Sequence, residues 1–182
     1  NAITWMDARG VSHVKKITNG LIKIEGYGIS KLYKWLKLTG GIPLRSGKDP
    51  IAHILFIKNI FPDIYKNTYK FLEPKDYLNL KLTGKFFASN ESITLHWVTD
   101  NRDIHNIHYH DDLIKMAGIS REKLPDLKQS TDIIGPVKKE IARELGLSET
   151  TRVVMGTPDI HSAAIGSGAI DDFAGHLYEI GR

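Results

Sequence analysis

The sequence predicts an α/β domain, and three observations carry the prediction. Short apolar runs of strand type alternate with stretches of helical spacing. Three of the helical stretches run into a glycine, at Gly84, Gly118 and Gly146, where a left-handed residue ends a helix at least cost. Prolines stand where helices begin, at Pro50, Pro74 and Pro158. The 182 residues suffice for one domain with one sizeable core. No internal repeat or low-complexity linker divides them.

Taken in order, "AITWMD" reads as a short strand. "RGVSHVKKITNGLIK" and "ISKLYKWLKLTG" carry helical spacing. "TGGIPLRSGKDP" is a loop dense in breakers, and Asp49-Pro50 at its end marks a helix start. "IAHILFIKNIF" is an apolar-faced helix closed by Pro62. "YKFLEP" suits a short strand, and "PKDYLNLKLTG" a helix with Pro74 in its first turn. "HDDLIKMAGI" and "PVKKEIARELGL" are two further glycine-terminated helices. "TRVVMG" is a buried strand, "PDIHSAAIGSGA" the helix after it, and "GHLYEI" a final strand.

Composition narrows the chemistry. Cysteine is absent, so disulfides, thiolate catalysis and Cys-based zinc sites are excluded. No apolar run is long enough to cross a membrane and no secretory signal is recognisable, so a cytoplasmic protein without a membrane partner is expected. The net charge of +4 is mild. Lys15, Lys16, Lys23, Lys31, Lys34 and Lys37 cluster early, with Tyr33 and Trp35 among them. A nucleic-acid surface would want such a mixture on one face. An amphipathic helix, with Ile29, Leu32, Tyr33 and Leu36 inward and lysines outward, explains it more simply, so no nucleic-acid partner is expected.

The stretch "VVMGTPDIHSAAIGSG" carries a lone carboxylate, Asp159, where a strand runs into a helix that Thr157 can cap and Pro158 can begin. The carboxyl end of a strand is where open α/β sheets bind ligands. An acid in a first turn also complements the helix dipole, worth about 0.3–1 kcal/mol. The small residues Ala163, Ala164, Gly166 and Gly168 lower helix propensity, which predicts a helix pressed closely against another backbone.

In its ordered landmarks the chain resembles the FGGY family of carbohydrate kinases. "ITWMDARG" is similar to that family's Trp-x-Asp-x-Arg strand, here Trp5, Asp7 and Arg9. "TGGIPLRSGKDPIAHILFIKNIFPDIY" resembles its Thr-Gly loop and following helix, and "FLEPKDYLNLKLTGKF" its Lys-Asp-Tyr and Leu-Thr-Gly signature. "LPDLKQSTDIIGPV", "GLSETTRVVMG" and "VVMGTPDIHSAAIGSGAI" match the later steps in order. The xylulose-kinase-like branch is the most similar. The resemblance implies an actin-like, ribonuclease-H-like ATPase domain that lacks its first strands. Residues 1–182 would be the central and carboxyl-terminal part of the amino-terminal, sugar-binding domain, without the second, ATP-binding domain.

The same resemblance implies the chemistry. Asp159 takes the place of the base that accepts the proton of the sugar hydroxyl as it meets the γ-phosphorus. Substrate contacts fall to Asp7 and Arg9, for which a structural ion pair is the alternative, and to Lys48, in a loop with Arg45 and Ser46. The residue after the family's aspartate is usually a polar one that contacts sugar; here it is Ile160, which leaves His161 as the candidate contact. The substrate would be xylulose or a related ketose or polyol, with ATP and Mg2+ needed by the complete enzyme and a homodimer as its expected assembly. Residues 1–182 alone are expected to bind no cofactor and to show no sugar-dependent turnover.

A non-catalytic fragment is one alternative. A metal-binding module is another, because "HWVTDNRDIHNIHYHDD" gathers His96, His105, His108 and His110 among Asp100, Asp103, Asp111 and Asp112. The spacing matches no helical metal signature, so it is read as a polar surface loop and no metal ligand is assigned.

Overall fold

The computed structural model describes residues 2–168. The first segment is not a strand. Asp7 donates its N–H to the Thr4 carbonyl at 3.0 Å, closing a turn that leaves Trp5 and Met6 exposed. A strand needs a neighbour for its outward amides, and none of the described strands pairs with this segment. Helix α1 (Val11–Thr18) stops before Asn19-Gly20, short of the helical stretch expected from the sequence. The chain then forms a tight hairpin of β1 (Lys23–Ile24) and β2 (Tyr27–Gly28). Its two-residue turn puts Glu25 at φ 50° and Gly26 at φ 83°, the positive angles that suit the twist of a hairpin.

Helix α2 (Ile29–Thr39) ends on left-handed Gly40. Helix α3 (Pro50–Ile60) begins where Asp49-Pro50 predicts. Pro62 does more than close α3: it opens α4 (Pro62–Asn67). "YKFLEP" is unladdered, held by Phe71 N–H to the Lys123 carbonyl at 2.8 Å. Helix α5 (Pro74–Thr83) ends on Gly84. There follow β3 (Phe87–Ser89), α6 (Asn90–Ile93), β4 (Thr99–Asp100), β5 (His108–Tyr109), α7 (Asp111–Ala117), β6 (Asp126–Lys128), β7 (Ile133–Pro136), α8 (Lys139–Leu145), β8 (Arg152–Val154) and α9 (Asp159–Gly166). Among the described residues the strands pair two by two: β3 with β6 in parallel, β4 with β5 and β7 with β8 antiparallel. A bulge at Gly135 bends β7 against β8. "GHLYEI", expected as a strand, lies outside the described residues.

Two apolar clusters hold these elements. The larger centres on Trp35 and Trp97, with Ile51, Ile54 and Leu55 of α3 and Leu113, Ile114 and Ala117 of α7. The face that α2 turns inward is not the one expected. Trp35, Leu38 and Thr39 are buried, while Ile29, Tyr33 and Leu36 are exposed. The buried set recurs at three to four residues, as the other does, so spacing alone could not choose. Trp35 is therefore unavailable for base stacking, and Lys34 is paired with Asp112 at 2.5 Å. Trp97 sits in the left-handed region at φ 57°. It is pinned by its ring N–H to Asp49 at 2.7 Å and by Trp35, whose ring N–H donates to the Trp97 carbonyl at 3.1 Å. Burial pushes the Asp49 carboxyl up, against the Leu44 and Trp97 donors. The smaller cluster, Ile134, Val137, Ala142, Val153 and Met155, lies under the β7–β8 pair and meets Leu82 of α5. At the start of α1, a Cβ on Gly10 would lie 2.4 Å from the Ala52 carbonyl oxygen, so only glycine lets α1 reach α3 this closely.

Candidate functional site

The turn that presents Asp159 is built from the strand before it. Val153 and Met155 point into the smaller cluster, while Arg152 and Val154 face outward; the strand is therefore half-buried, where the sequence suggests a buried one. The pairing continues past β8, with Met155 N–H on the Asp132 carbonyl at 2.9 Å and Gly156 N–H on that of Ser130 at 2.8 Å. Gly156, at φ 74°, then turns the chain out of the sheet. Thr157 does not cap the helix. Its hydroxyl meets that of Ser162 at 2.8 Å, and Pro158 occupies the capping position with extended backbone.

Asp159 is the first residue of α9 and its side chain is exposed. Oδ1 accepts the Ile160 N–H at 2.8 Å; Oδ2 has no partner among the described residues. Among the described residues helix α9 is not pressed into the fold as its small residues suggest. Ile160 and Ile165 are exposed, and a Cβ on Gly166 would meet nothing within 4 Å. Of the small residues, Ala163, Gly166 and Gly168 are exposed and Ala164 is half-buried. His161 lies exposed on the same helix.

Asp7 and Arg9 form one unit. Arg9 Nε and Nη2 grip both Asp7 oxygens at 2.5–3.1 Å, and the guanidinium lies 4.5 Å over the Phe56 ring. The Asp7 carbonyl meets His53 Nε2 at 2.8 Å, tying this segment to α3. Arg9's hydrogen bonds hold the Asp7 carboxyl at about 2, below its ordinary 3.8. The folded value is depressed, so the pair's stabilisation is complete above 3.8 and is lost as pH falls through about 2. A carbon-13 NMR titration should place the Asp7 midpoint near 2, and Arg9→Gln should return it towards 3.8. An unmoved midpoint in the variant would rule out the ion pair as its cause.

Lys48 is exposed in the loop before α3. Its neighbour Arg45 is taken up by the hairpin, donating to the Glu25 carbonyl at 3.1 Å and lying 5.5 Å over the Tyr27 ring. No hydrogen bond or ion pair among the described residues joins Asp159, the Asp7–Arg9 unit, Lys48 and His161 to one another.

The histidine-rich segment does not converge. His96 is buried with Nε2 on Glu73 at 2.9 Å. His108 Nδ1 meets the Asn106 carbonyl at 2.8 Å, and Asp100 is clamped by Arg102 at 2.6 Å. What remains is a surface hollow of about 270 Å³ lined by Asp100, Arg102, Asp103, Asn106 and His108. Among the described residues no three of His, Asp and Glu are arranged to hold a metal. Asp112 is paired with Lys34, and His110 Nδ1 is buried without a hydrogen-bond partner among the described residues.

Sequence reasoning gave no role to three residues of α5 that meet the site. Asn79 Nδ2 and Lys75 Nζ both donate to the Met155 carbonyl, at 2.8 and 3.1 Å. Lys75 Nζ also meets Asp76 Oδ1 at 2.5 Å. Asp76 is fully buried, and burial pushes its carboxyl up against the pull of Lys75. Lys75 and Asn79 stand four residues apart, on one helix face, but no local feature of the sequence points that face at Met155.

The comparisons with known proteins agree on one family. The model of the amino-terminal domain of the FGGY family of carbohydrate kinases matches residues 1–166. The xylulose kinase of Lactococcus lactis is 31% identical over 176 residues, covering 96% of this chain and 32% of the relative. The autoinducer-2 kinase of Enterobacter sp. (strain 638) is 29% identical over 163 residues, covering 90% and 28%. The crystal structure of ligand-bound xylulose kinase from Lactobacillus acidophilus superposes with a TM-score of 0.76 at 25% identity, covering 93% of this chain and 32% of that one. The chain thus spans about a third of the length of these relatives, and its fold is the actin-like, ribonuclease-H-like α/β fold of such kinases.

Proposed function

Because this chain belongs to the FGGY family of carbohydrate kinases, we propose that it is the central and carboxyl-terminal part of the sugar-binding domain of an ATP-dependent kinase. The second domain of the complete enzyme would hold the nucleotide. The acceptor is a hydroxyl of xylulose or a related ketose or polyol. The likeness to named xylulose kinases supports the ketose, and Ile160, where the family has a polar residue, favours an acceptor that makes fewer contacts there.

The observation that carries the reading is Asp159 itself, exposed at the mouth of a strand-to-helix turn with Oδ2 unengaged among the described residues. In phosphoryl transfer the acceptor oxygen bonds the γ-phosphorus as the bond to ADP breaks. The hydroxyl proton passes to the Asp159 carboxylate. A carboxylate is a weak base, but the hydroxyl becomes far more acidic as its bond to phosphorus forms, so alignment suffices. The Asp7–Arg9 unit, Lys48 and His161 are the candidate hydroxyl contacts. Among the described residues no three of His, Asp and Glu are grouped to hold a metal ion; ATP and Mg2+ are assigned to the complete enzyme.

The absence of cysteine fits a reducing cytoplasm, and among the described residues no helix is long and apolar enough to cross a membrane. A panel of pentuloses and related polyols, offered with MgATP to the complete enzyme, tests the proposal. Sugar-dependent ADP release with a ketopentose is expected. No acceptor-dependent release with any sugar or polyol would overturn it.

A further inference from the structure

We infer that Asn79 and Lys75 are positioning residues for Asp159, acting through the Met155 carbonyl; the inference rests on the reading of Asp159 as the base. Met155 is the last buried residue before the chain leaves the sheet, four positions ahead of Asp159. Its carbonyl is held by two side-chain donors from a different element, Asn79 Nδ2 at 2.8 Å and Lys75 Nζ at 3.1 Å.

Those donors are themselves fixed. Asn79 is buried, so its amide has little room to swing. The Lys75 ammonium is drawn to Asp76 Oδ1 at 2.5 Å, and the same oxygen lies 3.5 Å from the Ser92 hydroxyl. Ser92 is bonded in turn to Ser89, at the end of β3. The chain of contacts runs from β3 and α6, through the buried Asp76, to the strand end that feeds the catalytic turn. On the amide side Met155 and Gly156 are held by Asp132 and Ser130. The peptide group after Met155 is therefore gripped at both ends, and Gly156 is the hinge that follows.

A carbonyl needs only one donor when buried, and β-sheet pairing supplies such donors in most strands. Two side chains on one carbonyl, one of them a charge-assisted donor, fix an orientation more tightly than the ladder requires. Misplacing a reacting group by about 1 Å is enough to lower a rate about a hundredfold.

The test is a double-mutant cycle in the complete enzyme, pairing Asn79→Leu with Asp159→Ala. Asn79→Leu alone is expected to lower kcat about 10-fold and to leave the KM for MgATP unchanged. If Asn79 acts by placing Asp159, the second substitution adds little to the first: Asn79→Leu should change the residual rate of Asp159→Ala less than 2-fold, roughly. Equal fold losses in both backgrounds would overturn the inference and leave Asn79 with a general structural role. An undiminished rate in Asn79→Leu would also overturn it. Should Asn79→Leu fail to fold, Lys75→Met, at a partly exposed position, carries the same cycle. If Asp159→Ala itself keeps its rate, the base reading has failed, and that result is distinct from the loss of coupling alone.

Discussion

Asp159→Asn in the complete enzyme is expected to lower turnover roughly 10²–10⁴-fold, about 3–5 kcal/mol of barrier. Asparagine keeps the shape and the hydrogen bond to the Ile160 amide, and so roughly the sugar affinity. What it removes is the ability to take a proton. The rival account of this residue is electrostatic. At the first position of α9 a carboxylate complements the helix dipole, and losing that costs about 1 kcal/mol of stability at most. The two accounts move different quantities, so thermal stability and turnover should be measured together. Near-normal turnover with every sugar the wild type phosphorylates would reduce Asp159 to a helix-end charge.

Trp35→Ala is expected to be the most damaging of the core truncations, at about 3–5 kcal/mol by urea unfolding. The indole is fully buried against α3, α7 and Trp97. Its ring N–H satisfies the carbonyl of Trp97, whose left-handed backbone depends on being held from several sides. Trp35→Phe should cost less, because it keeps most of the volume and loses the donor. Tyr33→Ala, two residues earlier on the exposed face, should fall within about 0.5 kcal/mol of the wild type. A mild Trp35→Ala beside a severe Tyr33→Ala would mean that the face of α2 has been assigned the wrong way round.

That contrast marks where the sequence was legible. The ends of α5, α7 and α8 were readable because a left-handed glycine is a local requirement, met at Gly84, Gly118 and Gly146. The start of α3 at Asp49-Pro50 was readable for the same reason. Which face α2 buries was not, since apolar residues recur at helical spacing on two sides and only the neighbours decide. "AITWMD" and "YKFLEP" have strand composition, yet a strand exists only where another backbone pairs with it. The role proposed for Asp159 came from the family resemblance; its place between a strand and a helix was legible. The α5 residues behind it were not, because Asn79 and Met155 are 76 positions apart and nothing local reports such a contact.

The division of the apolar interior has a consequence for how this molecule opens. Among the described residues the larger cluster has thirteen buried members and the smaller one five. Opening free energies scale with buried surface and contacts, and proteins come apart in cooperative units rather than all at once. Among the described residues the β7–β8 pair is therefore the smaller unit, and the turn before Asp159 is attached to it. Helix α5 and its capping residue join the units: Leu82 packs on the smaller one, and Glu73, just before the helix, reaches the other through His96, next to Trp97. Loosening of the β7–β8 unit is thus expected to reach the turn before Asp159 directly, and loosening of the larger one only through α5.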